Sequence, residues 1–137
     1  EPASPASIRP GKQERCKERR LSGITHVHRL SREGASEPAD VAPEKLFAGS
    51  GRSEVWNAFS DPSGRFHAGI WRAEPGIRAV SYTETELCVI LAGQVRLSSA
   101  EGSAEFGPGD AFVVAAGFSG TWECIGEVAK IYAILEP

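Results

Sequence analysis

Trp71-Arg72-Ala73-Glu74-Pro75-Gly76, followed by Tyr82-Thr83-Glu84-Thr85-Glu86-Leu87-Cys88-Val89-Ile90-Leu91-Ala92-Gly93, sets the pattern of this chain. A Pro-Gly turn leads to a glutamate entering an apolar run, and a glycine ends that run. Pro108-Gly109-Asp110-Ala111-Phe112-Val113-Val114 repeats the grammar as a turn feeding a second apolar run, and Gly117-Phe118-Ser119-Gly120-Thr121-Trp122 follows it. Short β-branched and aromatic runs bounded by Gly and Pro read as strands joined by tight turns.

Outward from these motifs the same grammar continues. Residues 65–72 alternate, with Phe66, Ala68 and Ile70 on one parity and His67, Gly69 and Trp71 on the other. Ser60-Asp61-Pro62-Ser63-Gly64 is a turn by composition, as is Glu101-Gly102-Ser103. Strands are expected at 78–82, 87–91, 94–98, 111–114, 121–125 and 128–135. A short strand or ordered loop is expected at 55–59, and one strand is possible at 24–30. This spacing predicts an all-β sandwich or small barrel. No internal repeat is present, so a two-barrel arrangement does not fit the length.

At 137 residues the chain is one domain able to bury a core. An apolar share of 41% and a charged share of 24% are those of a globular protein. No run approaches the ~20 apolar residues of a membrane-spanning helix. The start, Glu1-Pro2-Ala3-Ser4-Pro5, lacks the basic and apolar regions of a signal peptide, and Glu1 reads as a processed or trimmed end. Cys16, Cys88 and Cys124 form no CxxC pair, which argues against a disulfide scaffold or a four-cysteine zinc site. A reducing cytoplasm is the expected location. Residues 1–34 carry a net charge of +4 and residues 35–137 one of −7. With an acidic body and no aromatic interleaving, the basic segment of Lys12, Arg15, Lys17, Arg19 and Arg20 reads as a solvated tail, not a nucleic-acid arm. The expected organisation is an irregular N-terminal arm over 1–50 and one barrel over 51–137.

Residues from about 55 onward resemble the cupin superfamily, and within it the ureidoglycine aminohydrolase-type single-domain cupins. The Trp71 to Gly76 lead-in, Tyr82 to Cys88, Gly117 to Trp122 and the closing Lys130-Ile131-Tyr132 carry the resemblance. Fifteen residues between Gly93 and Gly109 also suit the short inter-motif hairpin of such barrels. The resemblance implies a small double-stranded β-helix, a jelly-roll-like barrel. It also implies where a metal would be held. Glu86 matches the glutamate of the cupin pattern, but the histidine positions fall on Val80, Tyr82 and Gly120. Carboxylate plus phenol is a poor transition-metal site, so no metal cofactor is expected, with a divalent ion as the alternative.

Other candidates are weaker. His26-Val27-His28 could offer two imidazoles but has no partner glutamate at the right spacing, and reads as two surface histidines. His67 reads as a satisfied core or rim residue. Cys88 and Cys124 read as inert packing, because nothing near them in sequence would favour a thiolate.

The resemblance places Tyr82, Glu86 and Trp122 at the barrel mouth, with Ile90, Phe112 and Tyr132 as walls. Arg78 or Lys130 could supply a cation, and Glu84 a second carboxylate. Glu86 and Tyr82 are the candidate catalytic pair. An apolar cavity with a few converging polar groups is the usual form of a small-molecule site, and a glutamate in it is a candidate general acid or base. The opposing reading is that Glu86 pairs with Lys130 or Arg78 and simply closes the barrel. The expected function is binding of a small polar metabolite, carboxylated or ureido-like, without a tightly bound metal. The alternatives are a metal-dependent hydrolase of the ureidoglycine aminohydrolase type and a non-catalytic dimeric binding or sensing module. Cupin barrels commonly pair through outward sheet faces, so a homodimer is expected; no nucleic-acid or membrane partner is.

Overall fold

The structure is a computed structural model that describes residues 23–137. The basic cluster at 12–20 and Cys16 lie outside them. The described residues form nine strands: β1 (Glu37–Pro38), β2 (Leu46–Gly49), β3 (Ser53–Ser60), β4 (Phe66–Ala73), β5 (Gly76–Ser81), β6 (Thr85–Ser99), β7 (Gly102–Phe106), β8 (Ala111–Val114) and β9 (Ser119–Leu135), with one 3-10 turn at Pro43–Lys45. No described helix is long and apolar enough to cross a membrane.

All described pairings are antiparallel, and β9 organises them. Its first half pairs with β5 and its second half with β4, while β6 runs along its other edge over both halves. The edge of β6 away from β9 carries β7 and β8. Two long strands shared in this way curl the sheet on itself, which is the small all-β barrel the sequence leads one to expect.

The curl needs a break in the pleat. The β6–β9 register slips between Ile90 and Ala92 and again between Ala92 and Gln94. Gly93 sits there at φ +76°, where an added Cβ would run into the Glu127 carbonyl and lie 2.9 Å from Val128 Cγ2. Bulges of this kind bend a strand and raise its twist. The expected segments at 87–91 and 94–98 are therefore one bulged strand, and 121–125 and 128–135 are likewise one strand.

Two expectations need correction. Glu101-Gly102-Ser103 is the turn only in part: the chain reverses at residues 100–101, so Glu101 lies in it, but Gly102 already pairs with Ser99. Alternation in β7 was hidden because its residues are mostly exposed. Residues 24–30 form no strand. The chain turns there, with Val27 N donating to Ile24 O and His26 at φ +70°, a geometry that breaks an extended run. Further along, the arm joins the sheet. Pro38 pairs with Glu54, Leu46 with Arg78, and the Trp56 indole donates to Gly34 O. The turn at 61–64 forms as read, with Asp61 Oδ1 accepting from the Arg65 and Phe66 amides.

Candidate functional site

Strand alternation decides what fills the barrel. On β9 the residues Trp122, Cys124, Val128, Lys130, Tyr132 and Ile134 are all buried. On β6 Glu86, Cys88 and Ile90 face the same interior, and on β5 Arg78 and Val80 do, with Tyr82 following. Register then sets the neighbours. Lys130 lies opposite Trp71 of β4 on one side and Ile90 of β6 on the other.

Lys130 and Glu86 form a salt bridge of 2.6 Å, and both side chains are 0% exposed. The second Glu86 oxygen accepts from Tyr82 Oη at 2.9 Å. Lys130 Nζ is also 3.6 Å from Cys88 Sγ. It sits 4.3 Å from the Trp122 ring centroid and 4.9 Å from that of Trp71. These two indoles meet edge to face at 5.8 Å. The ammonium is thus held between two π faces and capped by a carboxylate, an arrangement in which cation–π attraction is strong because water is excluded. Burial pulls the Lys130 ammonium down, but Cys88 and Glu86 outweigh it and hold it above the ordinary lysine value. Burial pushes the Cys88 thiol up to about 12, and that of Cys124 also upward. Both are therefore thiols, not nucleophilic thiolates, at neutral pH.

The expected site residues are distributed as follows. Tyr82, Glu86, Lys130 and Trp122 meet directly. They lie in the closed interior and not at an open mouth: none is more than 2% exposed. Ile90 lies beside Lys130 as a wall. Arg78 is not the partner of Glu86; its guanidinium lies 5.4 Å from the Trp71 ring centroid. Glu84 is buried but stands apart, one oxygen accepting from the Thr83 amide at 3.1 Å and the other without a hydrogen-bond partner. Tyr132 donates at 2.7 Å to Asn57 Oδ1. Phe112 is half-buried and stacks on Phe106 at 3.9 Å and 16°. It lines an outer groove of about 560 Å³ with Leu97, Phe106 and Phe118, and its ring is 6.2 Å from Trp122.

Trp71, read from the sequence only as part of the strand-turn motif, and Asn57 were not among the expected site residues. Trp71 could have been: it shares the His67, Gly69, Trp71 parity, and that parity faces inward. Asn57 carried no signal, because its partner comes from 75 residues away. The histidines stay apart from this cluster. The His28 ring packs on Phe59 at 4.7 Å, and His67 Nδ1 bonds Ser60 Oγ at 2.8 Å. At Gly120 an added Cβ would run into the Ser98 carbonyl and come 3.1 Å from Phe118, so no imidazole fits there without moving backbone.

Comparison with known proteins bears on the fold and the family. A protein of unknown function of the DUF861 family from Pseudomonas syringae pv. tomato is 27% identical, with a TM-score of 0.70 over 78% of this chain and 47% of that one. The present chain thus spans about half the length of that relative. The Clostridium difficile EutQ protein is 13% identical with a TM-score of 0.60, over 85% of this chain and 83% of its own. A putative ethanolamine utilization protein Q from Salmonella typhimurium gives 13% and 0.56, over 74% and 98%. At such identity these two show the fold alone. No curated protein matches the chain. Residues 60–132 match the EutQ-like cupin domain, more than half of the sequence, and the chain belongs to that cupin family.

Proposed function

We propose that the barrel binds a small polar metabolite in its interior without a tightly bound metal. The observation that carries this reading is the Glu86–Lys130 pair, buried with Tyr82 between two indoles. A buried ion pair is a poor way to stabilise a fold, because its desolvation cost rivals its Coulombic gain. The buried arginine, lysine and two glutamates, Arg78, Lys130, Glu84 and Glu86, inside one small barrel are better explained as recognition groups. Glu86, with both oxygens accepting, orients Lys130 and Tyr82 toward a ligand. Phe112 covers Trp122 from the groove side and is the natural gate.

The donor set does not fit a divalent ion. Of the cupin ligand positions, Val80 offers no donor, Tyr82 a phenol already bonded to Glu86, and Gly120 no room. The Lys130 ammonium already supplies positive charge beside the one matching carboxylate, and a second cation there would be repelled at short range. Ammonia release from ureidoglycine, which the sequence resemblance raises, gains nothing from this site; an ammonia assay with added manganese tests it directly.

The test is a metabolite panel read by thermal shift, on wild type and on the paired Lys130→Met/Glu86→Leu variant, with and without chelator. Ligand stabilisation that survives chelation and disappears in the variant is expected. Binding intact in the variant, or lost with chelator, would sink the reading.

A second reading, a dimeric binding module, is favoured by an apolar stripe on the outer sheet face. Leu87 pairs with Val113 and Ala133, Phe66 pairs with Leu135, and Leu87, Val113, Phe66 and Leu135 are all exposed. Such stripes commonly mark contacts between copies.

A further inference from the structure

The described arginines of the sheet are treated unequally. Arg72 holds Glu54 and Glu127, and Arg96 holds Glu105 and Glu123, although both are partly exposed. Arg78 is 2% exposed, yet its Nε and Nη2 have no hydrogen-bond partner among the described residues, and no carboxylate there lies within ion-pair distance. These two atoms form one edge of the guanidinium. Their N–H bonds run parallel, the fork that matches both oxygens of a carboxylate.

The surroundings add to this. Trp71 lies against the guanidinium, and its own indole N–H is also buried without a partner. Trp122 sits opposite Arg78 in register, and Cys124, 3% exposed, closes the same part of the interior. Asp40, which acts on Arg78 through space, is engaged elsewhere and accepts from the Ser53 amide at 3.0 Å. An always-charged side chain buried without a counter-charge is costly. A chain that keeps one on an inward strand position offers it to an anion from outside.

We propose that Arg78 is the anion receptor of this barrel and takes the carboxylate of a small organic acid on its Nε–Nη2 edge. This rests on the reading of the interior as a small-molecule site and names the class of ligand. The crowding by two indoles restricts the ligand at this end to a short acid.

The experiment uses the full chain with 15N-labelled arginine and tryptophan side chains, titrated with acetate, with acetamide as its neutral isostere, and with chloride at equal ionic strength. Acetate should shift the Arg78 Nε–H and Trp71 indole resonances saturably, and acetamide and chloride should not shift Arg78. Arg78→Lys keeps the charge but loses the fork and should weaken the acetate response about tenfold or more. Arg78→Met should abolish it while remaining folded, since it removes an unpaired buried charge. An acetate response that persists in both variants, or is matched by chloride, overturns the assignment. If acetamide reaches Trp71 and acetate does nothing, the carboxylate is wrong and the small-molecule barrel stands. If neither solute reaches either resonance, both fall.

Discussion

Replacing Lys130 with methionine removes the ammonium while leaving most of the side-chain volume, so the change is chiefly electrostatic. In the wild type that ammonium is 2.6 Å from a Glu86 oxygen, with neither group exposed, and it contacts two indole faces. In the variant the Glu86 carboxylate stays buried and keeps its bond from the Tyr82 hydroxyl but loses the ammonium. Removing one partner of a buried pair costs about 3–5 kcal/mol, and loss of the cation–π contacts pushes the cost to the upper end. At about 3–4 °C per kcal/mol for a chain of this size, Tm should fall by about 10–20 °C. Adding Glu86→Leu removes the stranded charge and leaves the Tyr82 hydroxyl without that acceptor, at about 1–3 kcal/mol. The double variant should therefore recover to within about 2 kcal/mol of wild type. Urea unfolding of the four proteins gives the coupling energy, provided the m-values agree. A Lys130→Met loss below about 1 kcal/mol, or a double variant no more stable than the single, would refute the reasoning.

Three further outcomes are expected. The Cys88 thiol, held up to about 12 by burial, keeps its proton while the unfolded chain ionises near 9.0, so stability is fully present below that pH and falls as pH rises toward 12. The raised Lys130 acts in the same direction above its ordinary value of 10.5. Urea midpoints at stepped pH should show this fall, and Cys88→Ala should flatten it; an unchanged slope would exclude Cys88 as its source. Gly120→Ala drives a methyl toward the Ser98 carbonyl and should cost about 1–3 kcal/mol or more by thermal melting, whereas an unaffected Tm would show that room for a larger residue exists. Leu87→Lys together with Val113→Lys should shift sedimentation from dimer to monomer with the fold intact by circular dichroism, and a wild type already monomeric across the concentration series would remove the dimeric reading.

Much of the barrel was legible because its strands are short and marked at both ends. The turn at Glu74-Pro75-Gly76 and the apolar run before Gly93 both lie in strands or turns as read, and β8 occupies the 111–114 segment expected. What failed was local evidence without burial behind it. The β-branched and aliphatic residues at 24–30 left a strand possible, but His26 takes a turn geometry, and β7 pairs although almost nothing in it is buried.

The candidate site divides the same way. Through its cupin resemblance the sequence pointed to Tyr82, Glu86 and Trp122 with either Lys130 or Arg78 as the cation, and by itself it determined that imidazole is missing where a metal-binding cupin would place it. Only the tertiary structure decided that Lys130 and not Arg78 pairs with Glu86, that the pair is sealed from water, and that Trp71 completes its cage. The reason is register. Lys130 and Glu86 are 44 residues apart, and a slip of one position would turn every side chain of either strand to the opposite face. The Gly93 bulge and the two-sided pairing of β9 fix that register, and they act through contacts too distant along the chain to leave a local pattern in it.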